Sequence, residues 1–176
     1  MPFKEYLPDP QGEFAVAAPE YFFYLLFQAG RRRDVALDAA LVQFDLTATD
    51  ARTLAIIRRT EGCTMNELAK YSAVDRTTLT REIDRLVASG LVSRQAHASD
   101  RRRVRLVLTD RGEAIYAEGI PLVAALGRRT LQGVDADQLR EFARTLQVII
   151  RNLVEDGDWA DEVLQFARSK GLRPID

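Results

Sequence analysis

One cysteine, one histidine and six prolines in 176 residues leave little material for several kinds of chemistry. A lone Cys63 forms no internal disulfide, which suits a cytoplasmic location. With His97 as the single histidine there is neither a neighbouring Cys/His dyad nor a metal-ligand cluster, so no catalytic residue, metal or cofactor is expected. No GxGxxG or P-loop is present. Glu61 and Glu67 are the nearest thing to a carboxylate pair, but nothing organises a pocket around them, and an enzyme is not expected. Every aliphatic stretch meets a charge well before 18 residues, so no membrane-spanning helix is expected. The first 20 residues hold acids and prolines instead of a basic segment and an apolar run, which is not the pattern of a secretory signal.

What remains is a globular, charge-polarised chain. Hydrophobic residues make up 47% and charged residues 29%, enough for a packed core and too ordered a mixture for disorder. The net charge of −1 hides a split. Residues 51–111 carry 13 Lys/Arg against 7 Asp/Glu, a net of +6, while the remainder is net −7. One surface is thereby suited to phosphate while the rest keeps the molecule soluble.

The apolar periodicity predicts a mainly helical chain. Residues 1–18, with Pro2, Pro8, Pro10 and Gly12, read as an irregular arm. A long helix of about 25 residues starts at Pro19 with Phe22, Phe23, Leu26 and Phe27 at helical spacing. Thr47 with Asp50, and Thr64 with Glu67, have capping-box spacing and open two shorter helices. Tyr71 to Val74 reads as a tight connection. Asp75 then caps a helix from Arg76 to about Ser89, closed by Gly90. Two short strands follow, Leu91–Arg94 and Val104–Leu108, with Ala98, Ser99 and Asp100 in their turn. Helices are expected from Thr109 to about Leu126, from Asp135 to about Glu155, and from Trp159 to Ser169.

That order describes a winged helix-turn-helix, mainly α with a small β-hairpin wing, flanked by helical extensions. The division expected is an arm at 1–18, a winged domain at 47–108, a helical dimerisation region at 19–46 with 109–156, and a C-terminal helical extension at 157–176. On the helix after Asp75, Leu79, Ile83, Leu86 and Val87 share one face and must pack inward. The other face carries Thr77, Thr80, Arg81, Asp84 and Arg85, with Arg76 and Thr78 near its start. Threonine suits base edges and thymine methyls, arginine grips guanine O6 and N7, and a helix N-terminus suits phosphate. At the hairpin tip, Arg101, Arg102 and Arg103 follow Asp100. Core packing does not explain such a cluster, whereas the minor groove attracts guanidinium groups. Asp100 can fix the direction of one of them by a carboxylate–guanidinium bond. Double-stranded DNA is the partner these residues imply.

The run Asp75-Arg-Thr-Thr-Leu-Thr-Arg-Glu-Ile-Asp-Arg-Leu86, then Gly90-Leu91-Val92, Asp100-Arg101-Arg102, and Leu106-Val107-Leu108-Thr109 with Gly112 resembles the MarR family of bacterial transcriptional regulators. The resemblance spans roughly Glu20 to Leu153. It implies that Arg81 enters the major groove and that Thr77 and Thr78 lie near bases or phosphates. Likewise it implies that Arg102 enters the minor groove and that Asp100 orients the wing. One departure is Asp45, where many members place glycine before Leu-Thr; aspartate tolerates a left-handed backbone better than most residues.

The resemblance further implies a homodimer joined by its terminal helices on a pseudo-palindromic operator, and a repressor released by a small aromatic or anionic effector. Tyr24, Phe27 and Arg31 are candidate ligand contacts, Phe27 and Arg31 sharing a face where an aromatic and a cation suit a phenolic acid. The competing role for these aromatics is a dimer core. Two other readings stay open: a thiol-based redox sensor using Cys63, and a winged helix that docks protein. Redox-sensing relatives place their cysteine in the first helical region, where this chain has none, and the acids near Cys63 do not activate a thiol. Packing is the expected role of Cys63.

Overall fold

The computed structural model describes residues 19–97 and 100–169, with side chains within 19–96 and 104–166. Helix α1 (Pro19–Leu41) passes through a 3₁₀ turn, Val42–Phe44, into α2 (Ala48–Arg59), α3 (Met65–Ser72) and α4 (Arg76–Ala88). An antiparallel hairpin of β1 (Val92–His97) and β2 (Asp100–Leu108) follows, then α5 (Asp110–Thr130), α6 (Ala136–Leu153) and α7 (Gly157–Ser169). No described helix is long and apolar enough to cross a membrane.

Local chemistry accounts for the starts of these helices. Both expected capping boxes form: Thr47 N donates to Asp50 at 2.7 Å, and Thr64 N donates to Glu67 at 2.7 Å. Asp75 accepts from Thr78 N at 3.0 Å and so starts α4. Asp45 has φ 55° and ψ 39°, the left-handed geometry the turn requires, and its N–H donates to the Val42 carbonyl at 3.0 Å.

The core lies under the helix-turn-helix. Leu54 and Ile57 of α2, Leu68 of α3, Leu79, Ile83 and Leu86 of α4, and Leu106 of β2 are all buried together. A smaller cluster of Leu37, Ala48 and Leu126 ties α1, α2 and α5. By contrast α6 buries no residue, and Phe142, Val148 and Leu153 are exposed on it.

Some boundaries differ from the periodicity. α3 continues through Tyr71 and Ser72, which the sequence places in the turn, because Ser72 is buried and Tyr71 packs on α7; Ala73, at φ 55°, makes the turn instead. Both strands are longer than expected, and Asp100 to Arg103 lie on β2. Ladder pairing from Val92↔Leu108 outward continues regardless of side-chain polarity, until the register shifts between Ala96 and His97. α5 continues past the exposed Pro121 and ends at Thr130, four residues beyond Leu126.

Candidate nucleic-acid interface

The recognition surface starts from α4. Its inner face, Leu79, Ile83 and Leu86, is fully buried, which turns Arg76, Thr77, Thr78, Thr80, Arg81, Asp84 and Arg85 outward. Hydrogen bonds from the Thr78 side chain and then its backbone hold the Asp75 carboxyl below its ordinary range. Thr80 Oγ1 donates to the Arg76 carbonyl at 2.8 Å. That bond occupies the hydroxyl proton and leaves the methyl group as the natural contact for an apolar base edge.

The arginines of α4 divide by what holds them. Among the described residues Arg76 and Arg81 make no ion pair, and their guanidinium groups are exposed. Arg85 turns back to form a salt bridge with Asp50 of α2, whose carboxylate is wholly buried. The other oxygen of Asp50 accepts from Thr47 N at 2.7 Å and Thr47 Oγ1 at 2.8 Å. One carboxylate therefore closes the start of α2 and fastens α4 to it. Asp84 is likewise bound, by Arg94 of β1 at 2.6 Å, which joins the recognition helix to the wing.

The wing is anchored at its base. Cys63 and Leu106 exchange backbone hydrogen bonds at 3.0 and 2.7 Å, adding a one-residue bridge to the hairpin. Gly62, at φ +103°, permits this approach, since a Cβ there would lie 2.6 Å from Val107 Cγ1. Arg105 donates to the Glu61 carbonyl. Burial pushes the Cys63 thiol up to about 11, so it stays protonated and packs as a small apolar group. Asp100, Arg101, Arg102 and Arg103 occupy the β2 backbone near the tip, but their side chains lie outside the described residues.

The expected ligand residues sit elsewhere. Tyr24 and Phe27 are 57% and 66% exposed on α1, and Arg31 follows them on the same helix, also exposed. No group of three or more metal-ligating residues occurs among the described residues.

Sequence reasoning missed a buried acid. Glu82 lies among Leu79, Ile83 and Leu86, and neither of its carboxylate oxygens has a hydrogen-bond partner among the described residues. Its position three after Leu79 on the apolar stripe was the available signal. The Asp84–Arg94 and Asp50–Arg85 bonds were also missed, because their partners lie on different elements.

Comparison with known proteins agrees with this geometry. The MarR family model matches residues 46–104. A cysteine-to-serine variant of Escherichia coli MarR complexed with operator DNA is 31% identical, over 72% of this chain and 91% of that one, with a TM-score of 0.67. BpsR of Bordetella bronchiseptica, whose structure concerns regulation of DNA binding by 6-hydroxynicotinic acid, is 25% identical over 72% and 90%, at 0.65. AbsC of Streptomyces coelicolor is 26% identical over 76% and 93%, at 0.70. Winged fold, ordered motifs and near-complete coverage of these relatives converge on one conclusion: the chain belongs to the MarR family of transcriptional regulators and carries its DNA-binding winged helix.

Proposed function

We propose that the protein is a homodimeric repressor that binds a pseudo-palindromic operator in bacterial cytoplasm and releases it on binding a small aromatic acid. The observation that carries the DNA reading is the exposed Arg81, without an ion pair among the described residues, beside Thr77 and Thr80 on a helix braced from both sides by Asp50 and Arg94. A rigid helix with a free guanidinium at its centre is suited to reading a guanine in the major groove. Arg76, Thr77 and Thr78 are placed for phosphates at the helix start. Arg101, Arg102 and Arg103 are assigned to the wing's groove, with Asp100 as their orienting acid. Arg85 we assign to phosphate through whichever nitrogens Asp50 leaves free.

Exposed apolar side chains support the dimer. Phe23, Leu25, Phe142, Val148 and Leu153 on α1 and α6 are between 46% and 72% exposed in the single chain, apolar surface that an interface between two copies would cover. We assign 19–46 with 109–156 to dimerisation and 47–108 to DNA. The effector class rests on Tyr24, Phe27 and Arg31, and on the aromatic acid that regulates BpsR. The buried, protonated Cys63 favours this mode of release over thiol oxidation.

The test is a shift assay with duplex from upstream of the protein's own gene. Binding should weaken steeply with salt, and Arg81→Ala should cost about 1–3 kcal/mol and relax one base position. Absent or salt-insensitive binding refutes the DNA reading and leaves a protein-docking module. A panel of hydroxylated aromatic acids that neither frees DNA nor raises the melting temperature refutes the effector class.

A further inference from the structure

The last helix lies beyond the stretch that resembles the family, yet it is seated on the helix-turn-helix. Ala160 and Leu164 of α7 are buried. The Phe166 ring stacks on Tyr71 of α3, with centroids 4.1 Å apart and planes 12° from parallel. The Arg59 guanidinium, at the end of α2, lies 4.7 Å from the same ring's centroid and donates to the Phe166 carbonyl at 3.0 Å. Glu162 accepts from the Tyr71 hydroxyl at 2.9 Å and forms a salt bridge with Lys70.

The same helix is also held from α6. Arg151 grips Asp161 through two nitrogens at 3.1 and 2.9 Å, and only Val154, Glu155 and Asp156 separate the two helices. α7 therefore has polar, directional contacts to two parts of the molecule. One is the pair α2–α3 beneath the recognition helix, and the other is α6, with its exposed apolar stripe. A helix that only covered core surface would need apolar contact alone, because exposed ion pairs add little stability. Directional contacts to both parts, made through the neighbouring Asp161 and Glu162 and through Phe166, instead restrict how far the two parts can rotate.

We propose that α7 is a strap that fixes the angle between the helix-turn-helix and α6, and so sets the half-site spacing that the dimer accepts. Tyr71, Glu162 and Phe166 are its positioning residues. The inference rests on the dimeric DNA-binding reading, because spacing is read by two recognition helices held about one helical turn apart.

Two measurements on the full-length chain test it. In a Cys63→Ala background, spin labels at Asn66→Cys on α3 and Thr145→Cys on α6 report the separation of the two parts and its spread, with labelled chain diluted in unlabelled chain. Phe166→Ala should broaden a narrow distance distribution, Phe166→Tyr should keep it narrow, and an unchanged width in Phe166→Ala overturns the strap. Glu162→Gln is a milder variant, expected to broaden the distribution less, should Phe166→Ala fold poorly. The second measurement uses operators with one base pair added or removed between half-sites. The parent should lose on the order of tenfold or more in affinity, and Phe166→Ala only a few-fold. Equal spacing profiles overturn the strap, since a helix needed only for stability would lower the melting temperature without changing them. If no duplex is bound by the parent, the DNA reading fails, and the distance measurement alone decides the strap.

Discussion

Replacing Glu82 with methionine should stabilise this protein at neutral pH and lose most of that advantage in acid. Glu82 sits on the inner face of α4 with 9% of its surface exposed, and both carboxylate oxygens lack a hydrogen-bond partner among the described residues. Burial is the leading cause that raises its pKa, and the Asp50 charge adds to it; Thr53, Arg85 and Arg52 pull the other way. The Thr53 hydroxyl does so without reaching hydrogen-bond geometry. A buried polar group left unsatisfied costs about 1–3 kcal/mol, and methionine keeps nearly the same length and volume without the charge. The expected gain is about 1–2 kcal/mol, or roughly 2–8 °C in melting temperature for a chain of this size.

The pH dependence follows from the direction of the shift. In the unfolded chain Glu82 titrates near the ordinary glutamate value of about 4.3. In the folded chain it keeps its proton to higher pH, so between the two values the folded state binds more protons and stability falls as pH rises. The cost of burying the charge is absent below the unfolded value and complete above the folded one, and only the smaller cost of the neutral carboxyl's unmade hydrogen bonds remains in acid. Thermal melts of both proteins from about pH 4 to 8 should therefore show a gap that narrows towards acid. Equal melting at pH 7, or a gap that stays constant with pH, would refute the reasoning.

Three further outcomes follow from the bracing of the winged domain. Arg85→Ala leaves the wholly buried Asp50 without its cation and should cost about 1–3 kcal/mol, whereas Arg81→Ala should leave the stability within about 0.5 kcal/mol of the parent. Identical melting losses for the two would show that Asp50 does not hold α4. Cys63, with its thiol pushed up to about 11, should react with a disulfide reagent at pH 8 only as fast as the protein opens; rapid labelling of the folded protein would contradict the burial. Gly112→Ala places a methyl 2.1 Å from the Leu91 carbonyl oxygen, and urea titration should show a loss of about 2 kcal/mol or more, an unchanged midpoint excluding this close contact.

Gly112 also shows why so much of the fold was legible. The Leu-Thr-x-x-Gly run is a local mechanism: Thr109 accepts from Gly112 N at 3.0 Å, its own N–H donates to the Leu91 carbonyl at 3.1 Å, and glycine lets α5 lie against that carbonyl. The capping pairs Thr47–Asp50 and Thr64–Glu67 are equally short-range, and so is the left-handed Asp45. The Thr109–Gly112, Thr47–Asp50 and Thr64–Glu67 pairs each span four residues, which is the range that spacing in a sequence can reveal, while the contact with Leu91 that the first of them prepares reaches back across the wing. What escaped has the opposite character. Arg85 reads as a free cation on the outer face of α4 until Asp50, 35 residues earlier, is brought beneath it. Tyr71 reads as part of a turn until Phe166 is stacked on it, 95 residues later. Charge on an exposed face is ambiguous between binding DNA and holding the binding helix still, and tertiary contacts decide between them. By that criterion Arg81 stays available for the role proposed for it, while Arg85, Asp84 and Arg94 are engaged in holding α4 to its neighbours.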